Sequence, residues 1–292
     1  MTEERDVLVE GNLYCVVISD EQEALLAAKA AGRAFVGVWK GCSGTEAVGT
    51  EAAGTKAVGA HTVGSDAADS REWLWKADYL IGSPEQADER FLERVVRRKL
   101  GLPWVIAESD RICVREFTPE DAVQLAQLPE NELVGTAETL FSEPDRFHAY
   151  IENQYGLYEY GMWAVVRRAD RKLVGIAGVS DCDTGSRGRE DAELQLELGY
   201  HIFDPYRRQG FAEEACRLIL NYVEQEYACP VYAVVEAGNI ASARLLDKLG
   251  FCLCGSQKAS LPDRAGDRRE PVTAQKYSGS APRRYRYVRY WQ

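Results

Sequence analysis

Histidine is scarce in this chain: 292 residues hold three, at positions 61, 148 and 201, beside two methionines. Cysteine is commoner, at 15, 42, 113, 182, 216, 229, 252 and 254, but no two of these form a Cys-x-x-Cys pair. The nearest neighbours, Cys252 and Cys254, are two apart, which on a strand puts both on one face. So few imidazoles and no paired thiols leave little from which to build a metal centre, and structural or free thiols are expected. Long apolar runs are missing too, none approaching the roughly 20 residues that span a bilayer. The opening MTEERDVLVEGN is acidic, without the basic-then-apolar plan of a signal peptide. No metal, no membrane partner and a cytoplasmic location are the resulting expectations. Basic residues are outnumbered, 35 Lys and Arg against 46 Asp and Glu, for a net charge of −11. A general nucleic-acid binder needs the opposite balance, because its affinity comes from neutralising phosphates. Cationic substrates suit an acidic surface.

With 46% hydrophobic residues the chain can bury a sizeable core, and its length suits one large domain or two ordinary ones. Glycines at 44, 49, 54, 59 and 64 punctuate pentads of small residues in an insert spanning 41–70. Short side chains at that period suit neither helix nor strand, and a flexible loop is expected. Around it, LYCVVIS (13–19), AFVGVW (34–39) and ADYLIGS (77–83) read as strands. EQEALLAAKAAG (21–32) and EQADERFLERVVRRKLG (85–101) read as helices, stopped by Gly32 and Gly101. Alternating strands and helices imply a small parallel-sheet α/β domain over 1–104. It loosely resembles the later, Rossmann-like half of a haloacid-dehalogenase-type fold. An Asp-x-Asp nucleophile loop is absent upstream, so a remnant used for packing or contact within a homodimer is expected rather than a phosphatase.

The pattern changes near residue 105. Thr118, Pro119 and Glu120 read as the cap and first turn of a helix. A second helix is expected over 143–156. MWAVVRRADRKLVGIAGVS (162–180) reads as a hairpin turning at Ala169-Asp170-Arg171. In ELQLELGYHI (193–202), Leu194, Leu196, Leu198, Tyr200 and Ile202 share one strand face, and Glu193, Gln195, Glu197 and His201 the other. DPYRRQGFAEEA comes next, leading into a helix that buries Ala212, Ala215, Cys216, Ile219, Tyr222 and Val223.

The first turn of a helix has amides with no partner, and the helix dipole adds positive charge there. Gly210 lets an anion approach the backbone, while Arg207 and Arg208 add forked donors. A diphosphate is a natural occupant. A solvated turn with glycine at a tight corner reads equally well from these residues alone. Next come a strand, VYAVVEA (231–237), and a helix, GNIASARLLDKLGF (238–251), in which Asn239 could simply be the N-cap and Ser242 a first-turn residue. FCLCGS (251–256) and RRYRYVRYWQ (283–292) complete the strands, the last expected at a sheet edge with one wet face.

Taken together, LELGYHIFDPYRRQGFAEEA and, downstream of it, NIASARLLDKLGF resemble the GNAT acetyltransferase superfamily, with RimJ/RimL-type members nearest. The resemblance covers about residues 105–292 and implies a mixed central sheet with flanking helices. The family's Gln/Arg-x-x-Gly-x-Gly/Ala motif is present as Arg207-x-x-Gly210-x-Ala212. By that resemblance the amides of Arg208, Gln209, Gly210, Phe211 and Ala212 hold the diphosphate of acetyl-CoA. The backbone of Ile202 and Phe203, with Asn239, would meet the pantetheine arm, and Ser242 would lie near the sulfur. Glu197 would take a proton from a primary amine, either a small molecule or a protein N-terminus or lysine. Many relatives place a tyrosine acid seven residues after the asparagine. Here that position is Leu246, which leaves Ser242 or water to serve. A non-catalytic acyl-CoA binder or scaffold is the alternative.

Overall fold

The computed structural model describes residues 1–39, 72–129, 132, 143–182, 194–258 and 283–291. The pentad insert and Glu193 lie outside the described residues. The chain falls into two units, one of Met1–Val179 with Tyr200–Tyr227, the other of Ser180–Gly199 with Ala228–Gln292. Among the described residues no helix is long and apolar enough to cross a membrane.

In the first unit, β1 (Thr2–Val9) and β2 (Asn12–Ser19) form an antiparallel hairpin. Its turn uses Glu10 and Gly11, both at positive φ, the backbone that a tight hairpin requires. From β2 the sheet continues in parallel through β3 (Ala34–Val38) to β4 (Tyr79–Ile81). Helix α1 (Gln22–Ala30) covers one face, burying Leu25 and Ala28 against Val17, Phe35 and Leu80. Helix α2 (Glu89–Lys99) covers the other, burying Phe91, Leu92, Val95 and Val96 against Val16, Ile18, Val36 and Tyr79. The period-2 alternation of each strand thus feeds two cores. The parallel core matches the three strands read from sequence. Strand β1 carries too weak a pattern to be read, because its TEERDVLV has only two buried apolar positions, Val7 and Val9, and it makes the sheet mixed.

The same unit holds four neighbouring strands of the second, eight-stranded sheet, in the order β5 (Val105–Glu108), β6 (Ile112–Arg115), β7 (Met162–Arg167) and β8 (Lys172–Asp181), antiparallel from β5 through β8. Helices α3 (Asp121–Leu125) and α4 (Pro144–Tyr158) lie in sequence between β6 and β7. Thr118 does not cap α3 by its own side chain. Instead Asp121 reaches back to accept the Thr118 amide at 2.8 Å, the acidic half of a capping box, while gripping Arg115 at 2.7 and 2.9 Å. Helix α5 (Phe211–Glu226) buries Phe211, Ala215, Cys216, Ile219, Leu220, Tyr222 and Val223.

Strand β9 (Leu196–Ile202) begins in the second unit and ends in the first, with Leu196, Leu198 and Ile202 buried as their parity requires. In the second unit β10 (Val231–Glu236) runs parallel to β9 at Val231–Leu196 and Tyr232–Glu197. Helix α6 (Ile240–Lys248) precedes β11 (Cys252–Lys258), and β12 (Arg283–Arg289) lies between β10 and β11, antiparallel to both. The arginine- and tyrosine-rich last strand is therefore interior rather than at an edge, and Tyr287 and Val288 are buried. Its alternation records two sheet faces; which strands flank it depends on the return path of the chain.

Candidate functional site

The corner between β9 and α5 collects most of the residues singled out from sequence. Phe203, fully buried, donates its amide to the Val174 carbonyl of β8 at 3.0 Å. Successive peptide groups of a strand point to opposite edges. The groups of Ile202 therefore face away from β8, and its carbonyl accepts from Arg207 Nε at 2.8 Å. Asp204–Tyr206 form a single 3-10 turn, and Gln209 Nε2 closes the loop by donating to the Pro205 carbonyl at 3.1 Å.

Two left-handed residues then shape the backbone, Arg208 at φ 62° and Gly210 at φ 85°. Gly210 is the N-cap of α5 and supplies no side chain to bind the helix's first amides. The amides from Arg208 through Ala212 are thus grouped at the positive end of a 16-residue helix. That donor set fits a diphosphate. Glu214 in the first helical turn could repel an anion, but it is ion-paired with Arg111 and accepts from Ser109 Oγ at 2.5 Å. Arg111 also donates to the Gln209 carbonyl at 3.0 Å and lies over the Phe211 ring, 5.0 Å from its centroid. This clamp comes from the loop before β6, about a hundred residues away in sequence, and no local signal marks it.

The two arginines differ. Arg208 is exposed. Arg207 folds back on the corner, paired with the Asp204 carboxylate and bonded to Ile202. Glu132, whose side chain is 3% exposed, stands behind it with Oε1 at 3.6 Å from Arg207 Nη2 and 3.3 Å from His201 Nε2. The Asp204 amide donates to the same oxygen at 2.6 Å. Neither Glu132 nor Arg111 stands out in the sequence.

The remaining candidates belong to the second unit. Glu197 is half-buried on β9, in register with Tyr232. Asn239 caps α6, its Oδ1 accepting the Ser242 amide at 3.1 Å. Ser242 is partly exposed in the first turn. Leu246 is fully buried, so the position that resembles a family tyrosine acid serves the core here. Among the described residues no cluster of three or more His, Cys, Asp or Glu could hold a metal.

Residues 111–252 match the family model described as "Acetyltransferase (GNAT) domain". The uncharacterized N-acetyltransferase YoaA of Bacillus subtilis is 28% identical over 156 residues, which are 50% of this chain and 82% of that protein. The SPbeta prophage-derived uncharacterized N-acetyltransferase YokL of the same organism is 29% identical over 145 residues, 49% of this chain and 76% of its own length. Among solved structures, the ribosomal-protein-S5-alanine acetyltransferase of Vibrio fischeri aligns with a TM-score of 0.49 at 16% identity, covering 65% of this chain and 96% of that one.

Proposed function

We propose that the acetyltransferase (GNAT) domain of this chain moves the acetyl group of acetyl-CoA to a primary amine by direct attack in a ternary complex. The observation that carries the reading is the turn before α5, where Gly210 at φ 85° is the N-cap and offers the helix's first amides no side chain. In this reading the amides of Arg208, Gln209, Gly210, Phe211 and Ala212 bind the diphosphate, and Ile202 and Phe203 border the pantetheine arm. The Phe203 amide is engaged by Val174, which supports Ile202 over Phe203 as the residue whose peptide would face the arm. Asn239 meets the same arm, and Ser242 lies near the sulfur. The finer RimJ/RimL-type placement rests on the spacing of the two motifs, and a cytoplasmic location on the sequence alone.

An amine acceptor with a lysine-like pKa of about 10.4 is protonated at neutral pH and must lose a proton before it attacks. Glu197 takes that proton, directly or through water. Nitrogen then bonds to the thioester carbonyl carbon, and collapse of the tetrahedral intermediate expels the coenzyme thiolate. With a thiol pKa near 8.5, that leaving group needs little help from an acid. The acceptor is a small-molecule amine or a protein N-terminus or lysine. We further propose two domains, 1–104 and 105–292, the first serving packing or contact within a homodimer.

Calorimetry with coenzyme A, then thiol release with a panel of amines, tests the reading. Glu197→Gln is expected to lower kcat by roughly 10²- to 10⁴-fold, the usual worth of a general base. Absence of any binding heat in the wild type would overturn the assignment. The buried Leu246 favours a second reading, a non-catalytic acyl-CoA binder. Tight binding without turnover on every amine would select it.

A further inference from the structure

We infer that Glu132 is a positioning residue for the coenzyme turn, bracing the strand-to-helix corner from which the diphosphate cradle projects. The identity of the ligand rests on the acetyl-CoA reading; the brace itself does not. A carboxylate whose side chain is 3% exposed is costly to bury unless it is paired and hydrogen-bonded. Among the described residues, the partners of the Glu132 side-chain oxygens all lie between residues 201 and 207: the Asp204 amide at 2.6 Å, His201 Nε2 at 3.3 Å and Arg207 Nη2 at 3.6 Å. The tie crosses 72 residues of sequence to reach Asp204. Its own backbone is anchored by the Glu132 amide donating to the Pro129 carbonyl at 2.9 Å.

The corner needs such a tie. Arg208, not a glycine, occupies the left-handed region at φ 62°, a conformation that persists only where neighbours hold it. Arg207, the residue before it, is held by the Ile202 carbonyl, the Asp204 carboxylate and Glu132. Fixing residues 204 and 207 fixes the entry to 208–212, so those amides converge before the ligand arrives. Amides that are ordered in advance bind an anion without the entropy loss of ordering them on contact. Glu132 touches neither substrate nor reacting atoms in this arrangement; it acts through the Asp204 amide and Arg207.

Glu132→Ala and Glu132→Gln separate the possibilities. The amide of glutamine can still accept from Asp204, so Glu132→Gln should retain most of the brace, whereas alanine loses it. Hydrogen exchange of the full chain should then be faster over residues 204–212 in Glu132→Ala, partly restored in Glu132→Gln, and unchanged in α2 and β6. Coenzyme A should bind about tenfold more weakly to the alanine variant, the worth of one hydrogen bond of this type. The KM for acetyl-CoA should rise with kcat at saturation held. Unchanged exchange at 204–212, or exchange accelerated throughout the chain, overturns the brace. Local acceleration with unaltered coenzyme affinity overturns its role in ligand binding. If the wild type binds no coenzyme A, the acetyl-CoA reading fails, while the exchange comparison still decides the brace.

Discussion

Arg207 shows how a residue's chemistry is redirected by its surroundings. Beside Arg208 and ahead of an uncapped helix it has the right charge for phosphate, and that much is legible in the sequence. The Ile202 carbonyl and the carboxylates of Asp204 and Glu132 nevertheless engage it, and their positions depend on the return of the chain through Glu132 and the 3-10 turn at Asp204. The opposite case is Asp170 in the β7–β8 turn, where partner and target are three residues apart and a pattern reading suffices. Arg167 donates to it at 2.9 and 2.7 Å, and this hydrogen bonding, opposed by a little desolvation, lowers its pKa to about 2. A lowered folded-state value means that the pair supports the fold above the ordinary aspartate range and that this support is lost as pH falls through about 2. A carboxyl-carbon titration by NMR should give a midpoint near that value in the wild type. In Arg167→Leu the midpoint should return toward 3.8.

Elements depend on pattern and on caps, and here the two kinds of signal fared differently. The apolar spacing of α5 and the parity of β9 can be read directly, since a 3.6 or a 2.0 period maps each residue to a face without knowledge of the rest. The start of α3 can be read only in part, because Thr118 and Asp121 share the capping with Arg115, a residue of the preceding strand. Gly210 is the element-scale test of the cradle. Alanine there must enter the left-handed region at a cost of about 1–2 kcal/mol, while its Cβ meets only Arg111 Nη2 at 3.4 Å, an ordinary contact. Gly210→Ala should thus reduce stability by about that amount in urea denaturation. Coenzyme affinity should fall as the amides are displaced.

At the scale of the molecule, residues before 105 are joined to residues beyond it by charges out of contact with water. Arg94 of α2 pairs with Glu159 at 2.7 Å, their side chains 6% and 2% exposed. Arg98 reaches Glu116 at 2.6 Å and Glu159 at 3.0 Å. Burial pushes Glu159 above the usual carboxylate range, against the pull of Arg98 and Arg94. Removing one member of such a set strands the others, at about 3–5 kcal/mol. Arg94→Ala should lower the unfolding free energy by about 3 kcal/mol, at the low end because Arg98 still serves Glu159. A chain cut at 105 should fold poorly, since Glu116 and Glu159 would both lose their buried arginines; solubility and circular dichroism of that fragment check it. The proposed two domains are therefore distinct in topology but share their buried charges.

Local order dictated strands β2, β3 and β4 of the first sheet, the amphipathic faces of α2 and α5, and the Gly210 turn with its motif spacing. Each of these depends on residues within a few positions of one another, where backbone periodicity and steric preference act. Long-range closure decided the rest: β12 entering between β10 and β11, and Glu132 and Arg111 bracing the turn. Their partners are brought together only when distant segments pack, and the free energy that selects one pairing comes from excluding water across the whole fold rather than from any window of sequence.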